Sequence, residues 1–285
     1  MKKSHYKIQR FWNCFKKNKP ALFGLIVICF FIMTAVCADV IVDYDFAITQ
    51  DKTARLLSPC KDHIFGTDYL GRDVFARIVH GSRVSLSMGL VSTTVSLCLG
   101  GFLGVIAGYF GGWIDSIITR IADTLMCIPS ILFSLCVIAT LGASTTNLLI
   151  AITIASVPGF VRILRATVIA MTSQEYIDAA KVAGSTHLQI ICNHVLPNAI
   201  GMIIVQATMS IADMIIFASG LSFLGLGVQP PRPEWGIMLS DAKSYMREYP
   251  YLVIFPGLSI ALCSLSLNLF GDGLRDMFDP RSIMN

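Results

Sequence analysis

The sequence predicts an all-α polytopic membrane protein with six transmembrane helices, and three observations carry that prediction. Only 14% of the 285 residues are charged and 54% are hydrophobic, where an ordinary soluble domain has about 25% charged residues. Mean hydropathy is +0.68. The apolar residues also come in uncharged blocks, and a helix needs roughly 20 such residues to cross a bilayer.

A basic head precedes the first block. MKKSHYKIQRFWNCFKKNKP carries seven Lys or Arg and no acid. Against a membrane span such a cluster reads as a topology signal rather than a nucleic-acid patch, and it sets residues 1–19 in the cytoplasm. The apolar run that follows is too long for a cleaved signal and lacks a small-residue cleavage site. Span 1 is therefore expected at 20–42, with an external segment at 43–83. Val84 to Ile114 is free of charge and gives span 2 at 84–110, and the glycines of GYFGGW make a tight internal turn after it. Thr124 to Val161 runs 38 residues without a charge, too long for one span. GASTTN at 142–147 supplies a turn, which gives spans at 118–141 and 147–168. Asn198 to Gly220, apolar apart from Asp213, gives 198–221, and Tyr249 to Gly271 gives 250–271. The core at 84–271 thus holds a cytoplasmic segment at 169–197 and an external loop at 222–249. In that loop VQPPRPEWG is too rich in proline to be a span. A tail at 272–285 returns to the cytoplasm, either capping the last helix or standing as a simple polar end.

Nine cysteines suggest a disulfide framework only where they meet in an oxidising space. Cys60 alone is clearly external, and there is no CxxC, so they read as small apolar fillers. There is no GxxxxGK[ST] phosphate loop, no GxSxG and no HExxH. The chain is not expected to be an enzyme or to hold a metal. Asp213 sits near the middle of a span, where a charge is costly and by default functional. It either lines a translocation path or faces another polypeptide or a hydrated cavity that merely keeps it solvated. Arg162 and Arg165 are expected to snorkel to the interface. Asp68, Arg72, Asp73 and Arg77 are spaced for helical pairing, on a surface helix or on a receiving face for an external protein.

One cytoplasmic stretch breaks the apolar pattern. EYIDAAKVAGSTHLQIICNHVLPN (175–198) describes two short helices with a bend. Glu175 and Asp178 suit the first helix's dipole, Gly184 takes the left-handed cap, and Ser185 or Thr186 starts the second helix. Leu188, Ile191 and Val195 are expected to form its apolar stripe, and Pro197 fits the first turn of the next span. The small residues Ala179, Ala180, Ala183 and Gly184 permit close approach by another surface, which reads as a docking knob for a soluble partner.

DAAKVAG (178–184) with VLP (195–197) resembles the coupling-loop motif of bacterial ATP-binding cassette importer permeases: EAA, three residues, Gly, nine residues, Ile, any residue, Leu-Pro. Asp178 replaces Glu and His194 replaces Ile. Four further segments, FGTDYLGRDVFARIVHGSRVSL (65–86), GYFGGWIDSIITRIADTLMCIPSILF (108–133), LSFLGLGVQPPRPEWGIMLSDA (221–242) and NLFGDGLRDMFDP (268–280), resemble the second permease of dipeptide, oligopeptide and nickel importers. The resemblance implies the type I importer permease (MetI-like) fold. It also implies a bacterial cytoplasmic membrane location with both termini inside, and a heterodimer with a homologous sister permease. Two ATPase subunits would hold ATP and Mg, this chain having no cofactor of its own, and a periplasmic or extracellular binding protein would deliver substrate. It makes Glu175, Asp178, Ala179, Ala180 and Gly184 the docking helix, with Leu196 and Pro197 bracing its exit. Peptides are the expected substrate. Ala218, where many peptide members carry an acid, and Asp213 keep nickel or a metal chelate as the alternative. An ion-coupled secondary transporter, argued from Asp213 and Pro158 alone, is the remote one.

Overall fold

A computed structural model describes residues 18–278. Most of the basic head and the end of the tail lie outside the described residues. Among the described residues the chain is helical throughout, with one isolated bridge between Thr67 and Asp73. Helix α1 (Lys19–Val36) starts behind Asn18, whose side chain accepts from the Ala21 N–H at 3.2 Å. It stops short of the expected 42. Two short helices, α2 (Ala38–Ile41) and α3 (Tyr44–Ile48), and a 3-10 turn at Lys52–Ala54 follow. Helix α4 (Val74–Phe110) begins well before the expected 84, capped by Asp73 on the Ala76 N–H at 2.7 Å.

Helices α5 (Gly112–Met126) and α6 (Ser130–Leu141) meet at a bend of 85° and together make one broken apolar unit. Helix α7 (Thr145–Thr172) starts on its Ser144 cap and contains Pro158. Then come α8 (Glu175–Val182), α9 (His187–Ile190), a π turn (Ile191–Val195) and α10 (Leu196–Phe223). A short α11 (Trp235–Ala242) and the long α12 (Tyr251–Phe278) complete the chain. Five helical runs are long and apolar enough to cross a membrane, and the bent α5–α6 pair is the sixth candidate.

Close packing of α4 on α7 organises the bundle. Ser92, Ser96, Gly100, Gly104 and Gly108 recur every fourth residue on α4 and are buried. A Cβ on Gly100 or Gly104 would meet the Val157 or Val161 carbonyl at 2.6 Å. Ser96 donates to the Thr153 carbonyl at 3.0 Å. Small residues at this spacing let two backbones touch, and in lipid that contact replaces the hydrophobic drive. Helix α12 packs against both α1 and α10, and Asn18 joins Asp276 at 3.2 Å where α1 begins and α12 ends.

At the opposite end a polar cap closes the bundle. Buried Asp68 accepts from Arg72 Nε at 2.7 Å and from Arg77 Nη1, and Asp241 accepts from Arg72 Nη2 at 3.0 Å and Arg77 Nη2 at 3.2 Å. The expected pairing of Asp68 with Arg72 is present, but it lies inside the cap rather than on a surface helix. Arg83 wraps the end of α1, donating to the Val36 carbonyl at 3.0 Å and to Asp39 at 2.9 Å. Glu234 is fully buried as the cap of α11, accepting from the Gly236 and Ile237 N–H groups at 2.7 and 2.8 Å. Its burial pushes the carboxyl above its ordinary range, against the pull of those donors.

Candidate functional site: a helical hairpin beside the bundle

The hairpin of α8 and α9 is built by local rules. Glu175 and Asp178 stand in the first turn of α8, and Lys181 pairs with Asp178 at 2.9 Å on the exposed side. Gly184 ends the helix at φ +83. Its N–H donates to the Lys181 carbonyl at 3.0 Å, and the Ser185 N–H reaches back to the Ala180 carbonyl at 3.1 Å. This double closure needs a left-handed residue, and glycine alone takes it without a Cβ penalty. Thr186 then caps α9 in a reciprocal box with Gln189: the Thr186 N–H donates to Gln189 Oε1 at 2.9 Å, and the Gln189 N–H donates to Thr186 Oγ1 at 3.4 Å.

Inside the hairpin, Ile177, Ala180, Ile190 and Val195 pack with Val105 of α4 and Val168 of α7. Burying each larger aliphatic side chain stabilises the hairpin by about 1.5–3 kcal/mol. Tyr109 of α4 and His187 add a contact at 2.9 Å between hydroxyl and Nδ1. The hairpin is thereby fixed to α4 and α7 and continues directly into α10. Its outer side is different. Glu175, Asp178, Ala179, Ala183 and Gly184 are exposed, with Val182 90% and Leu188 71% accessible. Both apolar side chains open on a solvated turn.

The structure therefore brings Glu175, Asp178, Ala179 and Gly184 onto one outward side and turns Ala180 inward. Leu196 packs into the inner cluster, and Pro197 is exposed in the first turn of α10. Of the expected stripe, Ile191 and Val195 pack in the inner cluster, while Leu188 points out and Ile190 takes the buried place on that side. The π turn at Ile191–Val195 carries this face on into α10. Asp213 lies apart from the hairpin, exposed along α10, with no hydrogen bond or ion pair among the described residues. Arg162 is exposed and Arg165 partly so, and each is paired with an acid of α5. Arg162 Nη2 meets Asp123 at 2.6 Å and Arg165 Nη2 meets Asp115 at 2.6 Å, since α5 folds back onto α7 after Gly111 and Gly112. The small-residue ladder of α4 was missed by reading charge gaps. Its signal, a small residue at every fourth position, is plain in the sequence.

A bundle with five or six helical runs apolar enough to cross a membrane, and a solvated hairpin running into one of them, defines a multi-pass membrane protein. The chain belongs to the family described as binding-protein-dependent transport system inner membrane component, whose sequence model matches residues 100–283. A second model, the N-terminal TM domain of oligopeptide transport permease C, matches residues 7–59. The dipeptide transport system permease protein DppC of Alkalihalophilus pseudofirmus is 48% identical over 93% of this chain and 87% of its own. DppC of Haemophilus influenzae is 39% identical over 96% and 95%. The glutathione transport system permease protein GsiD of Pectobacterium atrosepticum is 40% identical over 96% and 91%. Among solved structures, an inward-facing MetNI methionine ABC transporter chain superposes with TM-score 0.60 at 17% identity, covering 71% of this chain and 97% of that one. The fold is that of an ABC importer permease, and the chain is a multi-pass protein of the cytoplasmic membrane.

Proposed function

We propose that this chain is one of two dissimilar permease subunits of an ATP-driven importer of di- and oligopeptides, and that the α8–α9 hairpin receives the motor. The observation that carries the reading is the two-sided hairpin. Its inner side is packed onto α4, α7 and α10, and its outer side leaves Val182 and Leu188 bare. A knob fixed on one side and open on the other transmits a push, because coupling needs an element with discrete positions. Two ATPase subunits would supply that push with their own ATP and Mg, and a binding protein would deliver substrate at the cap end. The hairpin end would then be cytoplasmic, with both termini on that side, and the sister permease would close the path. Relatives named for dipeptides, di/tripeptides and glutathione favour peptides over nickel. Asp213 would line the path.

The test is ATP-dependent uptake by proteoliposomes holding the co-expressed complex, with a labelled dipeptide set against radioactive nickel. We expect dipeptide uptake that Gly184→Pro abolishes while the complex stays assembled. Nickel uptake would overturn the peptide assignment. Uptake that ignores ATP and follows a proton gradient would overturn the motor.

A further inference from the structure

A groove of about 290 Å3 lies at mid-bundle between α7, α10 and the bend of α5–α6. Its position follows from its lining. Gln206 and Ser210 fall in the middle of α10, and Ile154, Ser156 and Gly159 fall in the middle of α7. Polar groups at that depth are expensive in lipid and persist where they line a hydrated path.

The groove presents hydrogen-bond acceptors. Pro158 has no N–H, so the Ile154 carbonyl lacks its helical donor one turn on. Ile154 is a lining residue, and an unfilled carbonyl at membrane depth is tolerated beside a cavity. Gln206 donates to Ser210 Oγ at 3.3 Å, which leaves its amide oxygen open. Ser156 already donates to the Ile152 carbonyl at 2.7 Å, and its oxygen remains an acceptor. Asp213 extends the same line. Positions 206, 210 and 213 differ by four and three residues and share one face of α10. Its exposed carboxylate has no partner among the described residues. Phe133 and Phe160 supply apolar wall.

The groove itself is uncharged and acceptor-rich with apolar walls, and Asp213, not itself a lining residue, falls between the lining residues Ser210 and Met214 on α10. Together they fit a ligand that is a cation and a hydrogen-bond donor at one end and apolar beyond it. We infer that this groove is a passage site for a short peptide, holding its α-ammonium end at Asp213 and its first amide against Gln206, Ser210 and the Ile154 carbonyl. The inference rests on the peptide-importer reading and adds where within the membrane the substrate pauses and by which end. The volume lies at the small limit of ligand pockets, which span roughly 300–1,000 Å3, so it suits a dipeptide in an extended pose rather than a longer chain.

The experiment compares import of labelled Ala-Ala with ATP hydrolysis in proteoliposomes of the whole complex, at saturating loaded binding protein. A charge-assisted hydrogen bond lost from the passage state lowers import per ATP by about tenfold or more. We expect that drop in Asp213→Asn, recovery in Asp213→Glu, and ATP hydrolysis close to wild type in both. Gly159→Leu is the variant that tests the cavity without touching a polar group. A Cβ at Gly159 meets nothing within 4 Å, so the added side chain fits the fold and occupies the groove, and import falls while the complex assembles. Should the Asp213→Asn complex fail to assemble, Gly159→Leu decides alone. Wild-type import per ATP in both Asp213→Asn and Gly159→Leu overturns the inference and leaves the importer standing. A wild-type complex that imports no dipeptide overturns the importer reading and this inference with it.

Discussion

The polar cap and the α8–α9 hairpin stand at opposite ends of the same bundle and are held in opposite ways. The cap closes on itself. Arg72, Arg77, Asp68 and Asp241 pair with one another in a buried cluster that leaves Arg77 Nε unpaired among the described residues, and Glu234 caps α11 from inside. The hairpin is anchored by aliphatic side chains and two local caps, and its outer side carries one exposed ion pair, Lys181 with Asp178, beside bare Val182 and Leu188. A buried ion network has a narrow set of acceptable geometries, because a charge moved from its partner has no water to turn to. Aliphatic packing tolerates small slides more easily. The cap is thus the stiffer end of the bundle, and the hairpin is the end to which the proposed function assigns a second chain.

Breaking the cap has the largest effect. Arg77→Met leaves Asp68 and Asp241 short of a buried partner and destabilises the protein by about 3–5 kcal/mol, seen as a lower melting temperature in detergent. Breaking the hairpin's anchor comes next. Ile177→Ala empties a fully buried site and costs about 2–4 kcal/mol, with amide exchange rising across 175–195 and unchanged at the cap. Gly184→Ala is smaller, at about 1–2 kcal/mol for a left-handed non-glycine residue, and its exchange signal is confined to the end of α8. Val182→Asp changes stability by no more than about 0.5 kcal/mol. It sharpens the comparison most: co-purification of the ATPase subunits drops although the permease is as stable as before. Normal ATPase recovery with this variant would deny the outer side its docking role.

The hairpin was the most legible part of the sequence, because each of its devices is local. A glycine at a left-handed cap, a Thr with a Gln three residues on, and acids in a first turn all act within one turn of chain. The spans were legible for a similar reason, since a bilayer requires uncharged length. What was not legible depended on distant partners. Helix α4 begins at Val74 because Arg77, His80 and Arg83 are met by Asp68 and Asp241, by the Val42 carbonyl and by Asp39. Without those partners in view, the same charges mark the region as external loop. The outward turn of Leu188 was hidden for another reason: Leu188 and Ile190 are both apolar, and only the packing against Val105 and Val168 decides that Ile190 is the one buried. The acids of α5 became partners of Arg162 and Arg165 only through the bend that brings α5 back to α7.

The run from His187 to Phe223 is one unbroken helical rod of 37 residues, about 55 Å long at 1.5 Å per residue. Such a rod behaves as a seesaw. Near its middle Met209 meets Gly271 of α12, and that contact serves as a fulcrum. A tilt of ten degrees there carries each end by roughly 5 Å for a rod of that length, in opposite directions. On the importer function proposed above, one push at the hairpin would narrow one side of the membrane as it widens the other, and the two mouths would need no separate signal to keep out of step.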